Sequence, residues 1–387
     1  MTTSALRVSL EHSLDQDTRG VLTTRGYCGF RRSDALTRPS FRNMYKQEWM
    51  NRALTALAGL AVIGTLAGAG WALLAERARD RHAEEERADL QNCTRGPRLA
   101  ARPGSRVRAA RSLPAFSHVV VIVMENEECG DVIGNRHAPF LTKLARRYAL
   151  ATSYFAIGHP SLPNYLALTG GSTFGIASDC KGCRVQATNL VDQLEGAGIS
   201  WKAYMEGLPH PCFTGAAAGR YAKKHDPFVY YSDVADNPVR CSRVVPLTEL
   251  LPDLESGRLP AFTWITPDLC HDMHDCGVAA GDHFLAGLVP RLLRALGPRG
   301  VLFVTWDEGE PDSTRGCCEK AAGGRVATIV AGPLARRGVE VAVPYDHYSL
   351  LRTIEDAWRL PELRNAGCSC TRPLTALFAA PRSHAGV

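Results

Sequence analysis

A serine hydroxyl becomes a useful nucleophile only beside a base or a metal ion that lowers its pKa. One serine in this chain sits where such help would matter: His159-Pro160-Ser161-Leu162-Pro163-Asn164, followed by the apolar run Tyr165-Leu166-Ala167-Leu168. Two prolines fix the backbone, so the pattern predicts a loop that ends in a helix start. Ser161 would then lie where developing negative charge is favoured. Three stretches distant in sequence could supply the activation. Each follows a run that reads as a buried strand: Glu125-Asn126, the segment Asp268-Leu-Cys-His271-Asp272-Met-His274-Asp275, and Asp307-Glu308-Gly309-Glu310. One such strand end would pass as an ordinary surface turn. Three together, with an Asp-x-His among them, point to a shared site.

Hard oxygen ligands with one or two imidazoles suit a divalent ion such as Mg, Ca, Mn, Zn or Fe. A cation next to Ser161 would stabilise its alkoxide and polarise a phosphoryl oxygen. Asn126 and Asn164 are candidates to hydrogen-bond equatorial phosphoryl oxygens in the transition state. Carboxylates alone would repel a phosphate, so a metal is part of the expectation. Other serine and phosphate chemistries lack their patterns. Ser161 has no Gly-x-Ser-x-Gly around it, and the chain has neither a P-loop nor Gly-x-Gly-x-x-Gly after a strand. Gly170-Gly171-Ser172-Thr173 lacks the lysine and reads as a turn.

The elements that must position these residues alternate. His118–Met124 is a continuous β-branched run, as in a strand buried on both faces. Ala138–Ala149 has helical spacing, Leu190–Gly196 is a short helix and Ser200–Tyr204 a short strand. Leu247–Leu254 reads as helix and Ala261–Ile265 as strand. Phe284–Leu296 is an amphipathic helix, Gly300–Thr305 and Val326–Val330 are strands, and Ser349–Trp358 is a further helix. Such alternation predicts an α/β fold with a mainly parallel central sheet flanked by helices on both faces. In such sheets chemistry gathers at the carboxyl ends of the strands.

The composition, 45% hydrophobic and 22% charged over 387 residues, is that of a globular protein. The net charge of +6 is loaded into the first hundred or so residues and does not argue for nucleic acid. Residues 1–52 are rich in Arg, Ser and Thr without periodicity and are expected to be disordered. Residues 53–75 carry no charge and are long enough to cross a bilayer, as an uncleaved anchor or a signal sequence. Residues 76–112 read as a linker, leaving 113–387 as the catalytic domain. Thirteen cysteines, eleven of them after Ser112, favour disulfides in an oxidising compartment with one cysteine left over, and an extracytoplasmic location, anchored or secreted. Cys180-x-x-Cys183 has zinc-ligand spacing, but nothing completes a tetrahedral set.

The motifs taken in order resemble those of the phosphoesterase family of bacterial acid phosphatases and phospholipases C. They are His118–Asn126, His159–Leu168, Asp272–Asp275 with Gly281-Asp282, Thr305–Glu308 and His347–Glu355. Tyr221–Phe228 is similar to a basic segment of the secreted mycobacterial acid phosphatases, the nearest subgroup, which act on phosphomonoesters including phosphatidylinositol 3-phosphate. The resemblance spans about Phe116–Pro361 and implies an alkaline-phosphatase-like fold. It implies Ser161 as nucleophile with Asn164 in the same motif, and Glu125, Asn126, Asp272, Asp307 and Glu308 as ligands of a divalent metal. His274 is implied as the central imidazole, with His225 and His347 touching the substrate phosphate or leaving group. Glu127-Glu128 departs from the family pattern and would make the entrance more acidic, while Glu355 reads as a surface charge and Trp306 as packing. The implied reaction is hydrolysis of phosphate monoesters through a phosphoserine, on a phosphorylated small molecule or a phospholipid headgroup. A phospholipase C acting on phosphodiesters is the alternative, and a non-catalytic envelope binding protein the alternative of another class.

Overall fold

Val119 to Met124 is buried at every residue, as a β-branched run must be when both faces of its sheet are covered. In the structure, a computed structural model that describes residues 112–380, this run is the middle of a nine-stranded sheet. The segments 1–52 and 53–75 and nearly all of 76–112 lie outside the described residues. Among those described, no helix is long and apolar enough to cross a membrane.

The strands are β1 (His118–Met124), β2 (Ala149–Phe155), β3 (Trp201–Met205), β4 (Ala217–Ala218), β5 (Tyr221–Ala222), β6 (Val244–Pro246), β7 (Phe262–Thr266), β8 (Gly300–Trp306), β9 (Arg325–Ala331), β10 (Val339–Val341) and β11 (Tyr345–Asp346). The sheet runs β10-β2-β9-β8-β1-β7-β3-β6, with β11 also on β2, while β4 and β5 form a separate ribbon. Only β9 runs against its neighbours, pairing antiparallel with β8 and β2; the remaining pairs of the large sheet are parallel. The mainly parallel α/β expectation holds. Strands β8, β1 and β7 are adjacent, and their carboxyl ends lead to Asp307, Glu125 and Asp272. Backbone bonds knit those ends together, Glu125 N–H to the Asp272 carbonyl and Asp307 N–H to the Met124 carbonyl, both 2.9 Å.

Five longer helices are α1 (Pro139–Arg147), α2 (Ser161–Gly170), α3 (Leu190–Gly196), α4 (Val278–Ala295) and α5 (His347–Trp358). They pack in pairs, α1 against α4 and α2 against α5. Asp282 on α4 accepts the Phe140 and Leu141 N–H groups, capping α1 (3.1 and 2.8 Å). Helix α2 is buried at all ten residues, its leucines packed in the core and its polar side chains Ser161, Asn164 and Thr169 hydrogen-bonded. Leu162, Leu166 and Leu168 each stabilise its seat by about 1.5–3 kcal/mol. It stops at Gly171, whose φ of +69° is left-handed and whose missing Cβ would meet the Leu363 carbonyl oxygen at 2.2 Å.

Strand β2 was not legible as a strand. Its residues, Ala-Leu-Ala-Thr-Ser-Tyr-Phe, are poor in β-branched side chains, and the helical spacing of 138–149 runs into it. It is nonetheless the strand that delivers the Ser161 loop. Helix α4 likewise begins at Val278, earlier than Phe284; its first turn, Val-Ala-Ala-Gly, has small side chains and no polar residue to show an amphipathic period.

Candidate active site

Ser161 is the first residue of α2 and is fully buried. Its hydroxyl donates toward Glu125 Oε2 at 3.1 Å and Glu308 Oε1 at 3.3 Å. Two of the three predicted acidic strand ends therefore meet at the serine. The third joins through His225, whose Nε2 lies 3.0 Å from Glu125 Oε2 and whose Nδ1 lies 3.4 Å from Asp272 Oδ2. Asp307 Oδ1 accepts the Asn126 N–H at 3.4 Å. The structure thus gathers Glu125, Asn126, Asp272, Asp307 and Glu308 around Ser161.

Burial of so many carboxylates has an electrostatic cost. Burial pushes Glu125 up to about 7, against the pull of Lys224 and the Tyr165 hydroxyl. Asp272 is likewise raised to about 7 by burial, opposed by His225. Asp307 is held well above its usual range by burial and by Glu125 and Glu308. Glu308 is raised by burial although His159 opposes it. Asn126 Oδ1 and Asp307 Oδ2 are buried with no hydrogen-bond partner, while His225 Nε2 and Asp272 Oδ2 have only their ion-pair contacts, out of hydrogen-bond alignment. Native interiors rarely leave such atoms orphaned without an ion or water to take them. Glu125, His225 and Asp272 each offer a donor atom within 4.8 Å of the others. Hard oxygens with one imidazole and a surplus of negative charge fit a divalent cation. Backbone strain is also concentrated here, with Asn126 at φ +48° and Met273 at φ +91° between Asp272 and His274.

Several residues have different work from that expected of them. Asn164 does not face a phosphoryl oxygen. Its Oδ1 accepts the N–H groups of Ile157 and Gly158 (2.8 and 3.1 Å), and its Nδ2 donates to the carbonyls of Gly158 and Pro160 (2.7 and 3.3 Å). All its capacity is spent bracing the serine loop. His347 is buried, with Nε2 2.5 Å from the Asp307 carbonyl oxygen and Nδ1 3.2 Å from the Tyr154 hydroxyl. Burial holds it down to about 4, and neither nitrogen is free for substrate. It positions the Asp307 turn. His225 is buried inside the carboxylate cluster, where burial lowers its pKa. His274 remains at the mouth, with Nδ1 on Asp275 Oδ1 at 2.8 Å.

His159 orients Glu308 at 2.6 Å and also bonds the Ser313 carbonyl at 2.8 Å, so it braces the site. Glu128 is buried, accepts the Arg325 N–H and lies 3.6 Å from Arg315, so it does not acidify the entrance. Trp306 is fully buried packing, as expected. Glu355 is buried, not a surface charge, and accepts the Leu363 N–H at 2.9 Å. Three residues at the site had no distinguishing sequence signal. Tyr165 donates to Glu125 and stacks on His225, with centroids 5.4 Å apart. Asp179 accepts the Leu162 N–H at 3.0 Å, satisfying the start of α2. Lys224 reads as part of a basic loop beside Lys223, yet its Nζ lies 3.4 Å from Ser161 Oγ.

The phosphoesterase family pattern matches residues 134–361. The chain belongs to the phosphoesterase family. Membership makes it a hydrolase of phosphoric esters, as its motifs implied. A phosphatidylinositol-3-phosphatase of Mycobacterium tuberculosis is 35% identical over 258 residues, 66% of this chain and 81% of that one. A phosphate-repressible acid phosphatase of Penicillium chrysogenum is 30% identical over 282 residues, 70% of this chain and 66% of that one. Among solved structures, a member of the alkaline phosphatase superfamily from Vibrio parahaemolyticus superposes with a TM-score of 0.47 at 12% identity, covering 70% of this chain and 72% of that one. That likeness is too distant to inform the chemistry.

Cys180 and Cys183 are a disulfide rather than half of a zinc site, and Cys212–Cys241, Cys270–Cys276, Cys317–Cys318 and Cys368–Cys370 are also bonded. The expectation of disulfides holds for these pairs.

Proposed function

We propose that this phosphoesterase is a metal-dependent phosphomonoesterase with Ser161 as its nucleophile. The observation that carries the reading is a fully buried serine hydroxyl between two carboxylates, in a cluster whose orphaned atoms and surplus charge call for a cation. Glu125, Asp272, Asp307, Glu308, Asn126 and His225 are the residues that would hold it. When bound, a divalent ion neutralises these carboxylates and lowers the pKa of the Ser161 hydroxyl.

The chain's own groups account for the remaining steps. Ser161 Oγ attacks phosphorus, a new O–P bond forms and the bond to the leaving alcohol breaks. The serine proton passes to Glu125 or Glu308, both within hydrogen-bond reach. His274, oriented by Asp275, gives a proton to the leaving oxygen. Water then cleaves the phosphoserine and regenerates the hydroxyl. The four bonds of Asn164 hold the attacking atom in place throughout.

The mycobacterial relative's name supports a phospholipid headgroup, and the fungal relative's name a simpler phosphomonoester, as substrate. Five disulfides among the described residues support an oxidising, extracytoplasmic compartment. The proposed anchor at 53–75 would tether the 113–387 catalytic domain to a membrane if it is not cleaved. The test is phosphate release from an aryl phosphomonoester and from a phosphodiester by oxidised protein, before and after chelation. Chelator-sensitive turnover of the monoester supports the reading. Preference for the diester favours a phospholipase C, and no turnover of either by folded, metal-loaded protein overturns the enzyme in favour of a binding role.

A further inference from the structure

Two consecutive lysines precede His225, and the fold sends them in different directions. Lys223 is buried, with Nζ donating to the Lys181 carbonyl at 3.1 Å and lying 4.6 Å from the centre of the Tyr230 ring. Lys224 turns the other way, into the site. Its ammonium lies 3.4 Å from Ser161 Oγ, 3.4 Å from His274 Nε2 and 3.4 Å from Asp179 Oδ2. An ammonium has three donors, and here two acceptors, Ser161 Oγ and Asp179 Oδ2, stand beside it at long range. It is kept in place without being committed to a short bond. Asp179 serves two purposes, since its other oxygen takes the Leu162 N–H at the start of the serine helix. One carboxylate thus fixes the lysine relative to the nucleophile.

We infer that Lys224 is a catalytic residue whose positive charge binds the phosphoryl group as Ser161 attacks it. This rests on the phosphomonoesterase reading. As the O–P bond to Ser161 forms and the bond to the leaving alcohol breaks, the non-bridging oxygens pass beside Ser161 Oγ, within reach of the ammonium. Lys224 donates hydrogen bonds to one of them and transfers no proton. Its role is that of a point charge placed in advance where negative charge collects. The side chain is about three-quarters covered, with 23% of its surface exposed, so solvent screens it only in part.

The test compares Lys224→Met and Lys224→Arg with the unmodified full chain. Turnover of an aryl phosphomonoester, affinity for inorganic phosphate and affinity for Mn2+ alone are read separately. Lys224→Met is expected to lower kcat/KM by about 100- to 1000-fold, the usual loss on removing one preorganised donor. It should weaken phosphate binding at least tenfold (~10) while Mn2+ binds no less tightly, because a cation has been removed from the carboxylate cluster. Lys224→Arg, which keeps the charge, should recover phosphate binding in part. Phosphate affinity and kcat/KM of Lys224→Met within about threefold of the parent would overturn the assignment. So would loss of Mn2+ binding together with activity in both variants, the mark of a structural role. If the parent hydrolyses no monoester, the proposed function fails, while the two phosphate affinities still decide the role of Lys224. A parent that binds no phosphate overturns both.

Discussion

Asn164→Ala separates two roles for one residue. A side chain that touches the phosphoryl group would lower turnover and leave stability alone. The structure instead gives Asn164 four hydrogen bonds, all to the backbone of residues 157–160. A net 0.5–1.5 kcal/mol per bond is usual. Ile157 and Gly158 are only half-buried, so water can replace part of what is lost. The expected destabilisation is therefore about 2–4 kcal/mol, or a fall in Tm of about 5–12 °C for a domain of this size. The same loop carries Ser161, and a misplacement of about 1 Å at a nucleophile costs on the order of 100-fold in rate. Asn164→Asp offers no rescue, since it can accept the same two N–H groups but turns a carboxylate oxygen toward the Gly158 and Pro160 carbonyls. Thermal melts and kcat/KM for an aryl phosphate are measured on the same preparations. An Asn164→Ala protein that melts within about 1 °C of the parent and loses only activity would refute the bracing argument.

Two further outcomes follow from buried charge. Removing divalent ions should lower Tm, because the carboxylates around Ser161 then lose their counter-charge; a ligand present at 100 times its Kd contributes about 2.7 kcal/mol. Identical melting curves with and without chelator would contradict a cation in that cluster. Glu355 is raised from 4.5 to about 7, chiefly by burial. Its folded state therefore binds the proton more tightly, so its contribution is full below pH 4.5 and is lost as pH rises through 7. Glu355→Gln should gain on the parent by about 3 kcal/mol between pH 4.5 and pH 8. A difference in Tm that does not change with pH would remove that explanation.

How far the sequence carried the fold depended on how hydrophobic each element was. β1 and β8 are buried on both faces and read as unbroken apolar runs, so they and their polar ends stood out. β2 carries Ala, Thr and Ser, takes its strand form from its neighbours β9, β10 and β11, and was missed. At the site, residue type identified the acidic strand ends and Ser161, because buried carboxylates have few structural reasons to be there. Direction was not readable. Nothing in Lys223-Lys224-His225 says that the second lysine turns toward the serine and the first away from it. Nor does His347, at the first position of a helix, reveal that both ring nitrogens are spent on Asp307 and Tyr154. Glu355 has the spacing of an exposed helix position, but the chain after α5 folds back over it, with the Leu363 N–H on its carboxylate.

Catalysis through Ser161 requires a phosphoserine at that position during turnover. Protein quenched in acid during turnover of an aryl phosphomonoester, then digested and analysed by mass spectrometry, tests it directly. One added phosphoryl group is expected on the peptide containing Ser161, formed only with substrate present, and neither the adduct nor turnover in Ser161→Ala. An adduct on another residue, or Ser161→Ala turning over at the parent's rate, would contradict it.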